Sequence, residues 1–228
     1  MVRQRTKSEL ESLHGSGYVE RYHQSDQGRL AQLVPLMSLE TGMVVADLGC
    51  GNGLLLDQIH PQVRHYDGVD FSAEFIEQAR RRQELTQIAN AKFHHSSIGA
   101  FFEERGGRYD RVFALDLSEH VYDDELIEIL SAARRALKDG GRVFLHTPNL
   151  SFFLEWLKAS GILRQLPEHV CVRTAEQNIS ILNRAGFHTV QVQYLPHYLP
   201  ILRWIHVLGY IPWLGRCLRA RLFIEARP

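Results

Sequence analysis

The sequence predicts a doubly wound α/β domain built on a mostly parallel sheet, and three observations carry that prediction. From residue 43 onward, short valine-rich or apolar runs alternate with segments of helical period. Repeated β-then-α units need right-handed crossovers, which bring successive strands parallel and cover both faces of the sheet. A dense glycine cluster, ADLGCGNGLLL at residues 46–56, stands where the first strand passes into the first helix.

Each element follows from its local pattern. MVVADL at 43–48 is a short apolar run of strand type, and 54–59 reads as helix. A second strand covers 65–69 and ends at Asp70. Ser72 then caps a helix over 73–85, with Phe75, Ile76 and Ala79 on one face. Residues 91–95 give a third strand and YDRVFAL, 109–115, a fourth. Leu126, Leu130, Ala133 and Leu137 recur at helical spacing, and Asp139-Gly140-Gly141 ends that helix. A fifth strand at 142–147 stops at Pro148. Thr174 and Gln177 form a capping box for a helix over 175–185 closed by Gly186. HTVQVQY at 188–194 alternates as a strand, and RLFIEA at 221–226 is the last. Residues 1–40 read as a helical cap, in which Asp26 starts a helix carrying Leu30, Leu33 and Val34. The main domain is then 41–228, with an apolar insertion at about 195–220.

Bulk properties narrow the function. The 228 residues are 45% hydrophobic and 23% charged, enough for one domain with a full core. Formal net charge is zero, so no global field draws the chain to nucleic acid. Cys50, Cys171 and Cys217 are widely spaced, with no CxxC pair to suggest zinc or a disulfide framework. The basic N-terminus lacks the apolar core of a signal peptide, and no 18-residue apolar run marks a transmembrane helix. A cytoplasmic, reducing setting is the expectation.

The glycine cluster needs a backbone reason, because glycine is entropically costly to fold. Strand, glycine loop and helix in that order place backbone N–H groups beside a ligand at the strand's C-terminal end. Asp70, closing the second strand, suits a ribose diol, so an adenosine-containing cofactor is expected. A dinucleotide fingerprint reads G-x-G-x-x-G, whereas this loop reads G-x-G-x-G with Leu54 in the third glycine's place. Asp47 would repel a pyrophosphate but suits an ammonium group. S-adenosylmethionine carries an ammonium and a sulfonium and no phosphate.

DLGCGNG resembles the first motif of class I S-adenosylmethionine-dependent methyltransferases. The resemblance continues through Asp70, YDRVFALDLSEHV and LKDGGRVFLHTPN. PEHVCVRTAEQNISILNRAGF is similar to the late segment of the branch that includes ubiquinone-biosynthesis O-methyltransferases. That family implies a Rossmann-like fold: seven strands, mostly parallel, a terminal antiparallel hairpin and N-terminal helices. It implies that Asp47 meets the methionine ammonium and that Gly49, Cys50, Gly51 and Gly53 form the loop the cofactor approaches. Asp70 would hold the ribose, with Phe71 beside it, Ser97 and Ile98 near the adenine, and the Leu115 carbonyl toward the ammonium. Ser97 stands where many relatives carry aspartate. Tyr18 and Tyr22 resemble the helix that closes over the cofactor in this branch.

Methyl transfer to a hydroxyl needs collinear reactants and a route for the proton. The candidates are Asp116, Glu119 and His120 in DLSEH and His169 in PEHV. DLSEH resembles the E-x-x-E-H pattern of the ubiquinone enzymes with Asp116 in place of the first glutamate, and the resemblance implies a divalent cation. No residue is assigned to a metal from spacing, and Glu119 and His120 read equally as helix-capping residues. His146, at the end of the fifth strand, reads as packing.

The expected activity is methylation of a small-molecule, lipid or sugar acceptor at a hydroxyl oxygen. N- or C-methylation of a small metabolite and a non-catalytic cofactor-binding scaffold are the alternatives. Nucleic-acid methylation is disfavoured by the neutral charge and by LDLSEH where amino-directed DNA enzymes carry an N/D-P-P-Y type motif. The stretch 194–221 mixes Leu, Ile, Trp and Tyr with Arg203, Arg216, Arg219 and Arg221 and is broken by Pro196, Pro200 and Pro212. A lid over the acceptor, a homodimer contact and peripheral membrane contact are three readings of it.

Overall fold

The computed structural model describes Glu9 and residues 27–198, 206–211 and 215–228. Seven strands form one sheet: β1 (Val44–Leu48), β2 (His65–Asp70), β3 (Ala91–His95), β4 (Tyr109–Leu115), β5 (Leu137–Pro148), β6 (Thr189–Leu195) and β7 (Arg221–Arg227). Their order is β3-β2-β1-β4-β5-β7-β6. β1 to β5 pair in parallel, and β7 runs antiparallel between β5 and β6. This is the expected sheet with its antiparallel end. All five β1 residues are buried, as a strand covered on both faces requires.

Seven α-helices connect or flank the strands among the described residues: α1 (Gln27–Leu33), α2 (Leu54–Ile59), α3 (Ala73–Thr86), α4 (Ile98–Phe102), α5 (Asp123–Ala136), α6 (Phe153–Ala159) and α7 (Ala175–Arg184). They divide the core into two layers. Leu126, Leu130 and Ala133 of α5 and Ile181 and Leu182 of α7 pack on Val112, Leu145 and Ile224. On the other face Leu30 and Leu33 of α1, Leu55 and Ile59 of α2 and Ile76 of α3 cover Val45, Phe113, Phe144 and Phe223. The Phe113, Phe144 and Phe223 rings run across three adjacent strands, with centroids 5.8 and 5.7 Å apart. The helix starts read from sequence have their caps. Ser72 Oγ accepts from Phe75 N at 3.3 Å, and Thr174 and Gln177 exchange both bonds of a capping box.

One boundary differs. The expected helix ran through Leu137 and ended at Asp139-Gly140-Gly141, but α5 stops at Ala136 and Leu137 opens β5. Leu137 pairs with Tyr109 and Arg142 with Arg111, so the glycines lie in a register shift of the strand, not beyond a helix. Pairing with β4 overrides the local helical period there. The Asp26 cap and the Tyr18 and Tyr22 helix lie outside the described residues. Of the 195–220 insertion, two short 3-10 turns are described, His206–Tyr210 and Gly215–Leu218. No helix among the described residues is long and apolar enough to cross a membrane.

The glycine cluster has its backbone reason. Gly49, Gly51 and Gly53 take φ of 67°, 52° and 79°, a region that side chains strain to enter. A Cβ on Gly53 would also lie 2.8 Å from Cζ of the buried Phe93 ring. Gly53→Ala is therefore expected to destabilise the fold by about 1–3 kcal/mol, read as a lower urea midpoint. An unchanged midpoint would overturn that account of the loop.

Candidate active site

β1 and β4 are neighbours although β2 and β3 separate them in sequence, and at this switch of strand order the carboxyl ends diverge. A cavity of about 800 Å³ opens there, lined by the glycine loop after β1, the ends of β2 and β4, and the start of α4.

The loop is held to β2 by a set of backbone donors. Gly49 N and Cys50 N both donate to the Val69 carbonyl, at 2.9 and 3.1 Å. Asp70 is buried and accepts from Gly51 N at 3.0 Å with one carboxylate oxygen and from Ser72 N at 2.9 Å with the other. Gly49, Gly51, Asp70 and Phe71 all line the cavity. Ser97 and Ile98 join them from the start of α4, where Ser97 Oγ accepts from Ala100 N at 3.3 Å. Leu115 lines the same cavity from the end of β4.

Asp47, Cys50 and Gly53 stand apart from that wall. Asp47 lies in β1 beneath the loop, where the Tyr66 hydroxyl donates to it at 2.6 Å. Burial pushes its carboxyl up to about 7; the Tyr66 bond opposes this and the Asp70 charge adds to it. The Cys50 thiol donates to the Gly51 carbonyl and packs in the core, and Gly53 backs onto Phe93.

The other end of the cavity holds buried charge. Asp116 lines it in a left-handed conformation, φ 53°. One of its oxygens is 2.6 Å from Arg29 Nη1. The other meets Arg221 and lies 3.0 Å from His146 Nδ1. Burial alone would raise this carboxyl, but Arg29, His146 and Arg221 together hold it well below the usual carboxylate range. His146 is fully buried, and burial pulls it down to about 4, leaving a neutral ring 3.2 Å from the Tyr198 hydroxyl. It is packed, as expected, but within a polar cluster.

Glu119, His120 and His169 come together as the sequence grouped them. Each offers a ligand-type atom, and these atoms all lie within 4.8 Å of one another. His120 lines the cavity, and Glu119 and His169 are not among its lining residues. His120 Nδ1 is 3.0 Å from the Glu168 carbonyl and donates its proton to it. The His169 ring stands edge-on to it, centroids 5.1 Å apart. Glu119 is buried and accepts from Thr147 Oγ1 at 3.1 Å. Burial raises its carboxyl to about 8, with the Asp116 charge adding. The Glu119 carbonyl also accepts from Val170 N and Cys171 N, at 2.9 and 3.1 Å, which ties the loop bearing His169 to this turn.

Sequence reasoning missed the partners. Arg29, Arg221 and Tyr198 close on Asp116 from α1, β7 and the chain after β6. Arg173 is buried and donates to the Ser118, Val121 and Cys171 carbonyls, fastening the DLSEH turn to the later loop. A basic residue in an apolar stretch was the one signal for Arg221; the others carried none.

A family model described as a methyltransferase domain matches residues 22–192. The chain belongs to the methyltransferase domain family. It is similar to the ubiquinone biosynthesis O-methyltransferase of Acinetobacter baylyi, 29% identical over 170 residues, 71% of this chain and 70% of that protein. The Xylella fastidiosa protein of the same name is 30% identical, over 72% of this chain and 66% of its own length. Among solved structures, the YcgJ protein of Bacillus subtilis superposes with TM-score 0.65 at 18% identity, covering 88% of this chain and 98% of that one. Phosphoethanolamine N-methyltransferase 2 of Haemonchus contortus, solved with S-adenosyl-L-methionine, gives TM-score 0.67 at 17% identity, covering 97% of this chain and 58% of that one. Fold, family and motifs agree on a class I S-adenosylmethionine-dependent methyltransferase.

In this methyltransferase Asp70 faces the cavity and braces the loop at once. Asp70→Ala should weaken S-adenosylhomocysteine binding at least tenfold and also lower stability by about 1–3 kcal/mol, because two backbone donors lose their acceptor. Calorimetric titration and urea unfolding measure the two effects separately; loss of neither would remove Asp70 from the site.

Proposed function

We propose that this methyltransferase transfers the methyl group of S-adenosylmethionine to a hydroxyl oxygen of a small-molecule, lipid or sugar acceptor. The observation that carries the reading is His120, oriented by the Glu168 carbonyl, on the wall of the cavity that the glycine loop and Asp70 also line. The name shared by the ubiquinone-biosynthesis relatives supports oxygen as the atom methylated.

In this reading the glycine loop and Asp70 border the nucleoside, with Asp70 accepting from the ribose hydroxyls. Ser97 and Ile98 border the adenine. Asp47 acts on the methionine ammonium through charge from beneath the loop, and Leu115 borders the same end. The acceptor oxygen forms a bond to the methyl carbon as the carbon–sulfur bond breaks. Sulfur keeps the electron pair and becomes a thioether, and the hydroxyl proton passes to His120 Nε2. Most of the acceleration comes from holding oxygen, carbon and sulfur in line. The proton acceptor adds about 10²–10⁴-fold.

The divalent cation implied by E-x-x-E-H asks for the first carboxylate of that pattern. Asp116 occupies the position, and both its oxygens are engaged by Arg29, Arg221 and His146. The carboxylate-rich set therefore does not fit, and no step is routed through such an ion.

The first test is calorimetric titration with S-adenosylhomocysteine, with NADH as control. Transfer of a deuterated methyl group to hydroxylated lipid and glycan acceptors follows, with mass spectrometry locating the atom. Label on nitrogen or carbon would overturn the hydroxyl assignment. His120→Ala should lower turnover about 10²-fold or more while the affinity for S-adenosylhomocysteine changes less than about twofold. Equal losses in both would make His120 structural.

Asp47 supplies a further prediction. With its carboxyl at about 7, a bound ammonium must displace a proton on the acid side of that value. Affinity for S-adenosylhomocysteine should therefore rise with pH by up to about tenfold per unit below 7 and level off above 8, where Asp47 is already charged. Binding near pH 7 should release a fraction of a proton, read from the buffer dependence of the heat. Asp47→Asn should flatten the profile, and a flat wild-type profile would detach Asp47 from the ammonium.

A further inference from the structure

The turn that carries Glu119 and His120 is three residues long, Ser118–His120, and so short a 3-10 turn has little hydrogen bonding of its own to fix its side chains. What holds it comes from the loop before α7, and the centre of that hold is a buried cation.

Arg173 is 2% exposed. Its backbone is fixed first: the residue bridges Asn149 just past β5, and its carbonyl accepts from Leu150 N at 3.1 Å. From that anchored start the guanidinium reaches the turn. Nη1 donates to the Ser118 carbonyl, and to the Cys171 carbonyl at 3.0 Å. Nη2 donates to the Val121 carbonyl at 2.8 Å, and Nε to Asp123 at 2.8 Å. Ser118 and Val121 stand on either side of Glu119 and His120, so one planar group spans the turn from end to end. The Asp123 side chain is 56% exposed, so the ion pair is half in water while the carbonyl bonds are buried.

Two further ties run between the same segments. The Glu119 carbonyl accepts from Val170 N and Cys171 N, and His120 Nδ1 donates to the Glu168 carbonyl at 3.0 Å. The ring is therefore aimed relative to the loop, and the loop is held to the turn by Arg173. Arg173 is not among the residues that line the cavity, so any effect it has on chemistry passes through the turn. A lysine there would keep the charge, but a compact ammonium cannot reproduce the rigid fork that reaches both carbonyls.

We propose that Arg173 is a positioning residue for His120, holding the Ser118–His120 turn against the loop that aims the ring. The proposal rests on His120 as the proton acceptor, because only then does its aim govern turnover.

The first readout needs no acceptor. Two-bond ¹H–¹⁵N correlation of ¹⁵N-histidine protein at about pH 9, where an ordinary imidazole is neutral, reports which ring nitrogen of His120 carries the proton; His120→Ala identifies the signal. Wild type should show the Nδ1–H form. Arg173→Lys should shift His120 toward a mixture of tautomers, while S-adenosylhomocysteine still binds at one site with affinity within about twofold of wild type. Arg173→Gln, which keeps a single planar amide donor, is measured beside it, so that one variant decides if the other fails to fold. Asp123→Asn removes only the ion pair and should keep the Nδ1–H signal. A His120 signal unchanged by substitution of Arg173, or lost equally in Asp123→Asn, would overturn the assignment.

Transfer of a deuterated methyl group to hydroxylated lipid and glycan acceptors gives the second readout. Arg173→Lys should lower turnover per S-adenosylhomocysteine-binding site by about 10- to 100-fold. In a His120→Ala background the same substitution should cost less than about twofold, because a residue that acts through His120 has nothing left to position. Full losses in both backgrounds would make Arg173 structural only and overturn the proposal. S-adenosylhomocysteine titration keeps the two readings apart. A protein that binds the cofactor product and loses turnover in His120→Ala, but is indifferent to Arg173→Lys, retains the transferase reading and loses this one.

Discussion

The carboxylate of Asp70 ties the end of β2 to the loop that leaves β1, accepting from Gly51 N and from Ser72 N, and the cavity takes its shape from that tie. A loop with three left-handed residues has no repeating hydrogen-bond pattern of its own, so its backbone groups need partners elsewhere. Val69 supplies a carbonyl to two of its amides and Asp70 a carboxylate to a third. The same Asp70 starts the turn into α3, so one side chain sets both edges of this end of the cavity. The polar groups there are positioned before any ligand arrives, which lowers the ordering cost of binding.

The opposite end rests on a different balance. Asp116, Arg29, Arg221, Glu119 and His146 lie close together and mostly out of water, where an unpaired charge would be costly. Pairing with two arginines keeps Asp116 ionised, while burial and the neighbouring Asp116 charge favour the protonated form of Glu119. Two carboxyl groups three residues apart thus hold opposite protonation preferences. His120, on the cavity wall, is oriented by the Glu168 backbone carbonyl.

The two ends of the cavity thus hold their charge in different ways. At one end Asp70 lines the cavity with Asp47 beneath the loop; at the other the Asp116 charge is paired internally with Arg29 and Arg221. Both ends hang from β1, β2 and β4, the buried middle of the sheet.

Much of this was legible in the chain. The alternation of apolar runs with helical periods determined the element order, and the Ser72 and Thr174–Gln177 caps placed two helix starts correctly, because caps and periods are local properties. The spacing of Gly49, Gly51 and Gly53 with Asp47 and Asp70 determined the class of cofactor, since backbone conformation and charge sign follow from residue type. The tertiary structure decided what depends on contacts between distant residues. Leu137 became strand because β4 offered it a ladder partner. Asp47 withdrew beneath the loop onto Tyr66, and Asp116 was taken from any ligand role by Arg29 and Arg221, which enter from opposite ends of the chain. A sequence states which groups are present; only folding brings a given guanidinium to a given carboxylate, because that pairing is set by the topology of the sheet and not by spacing along the chain.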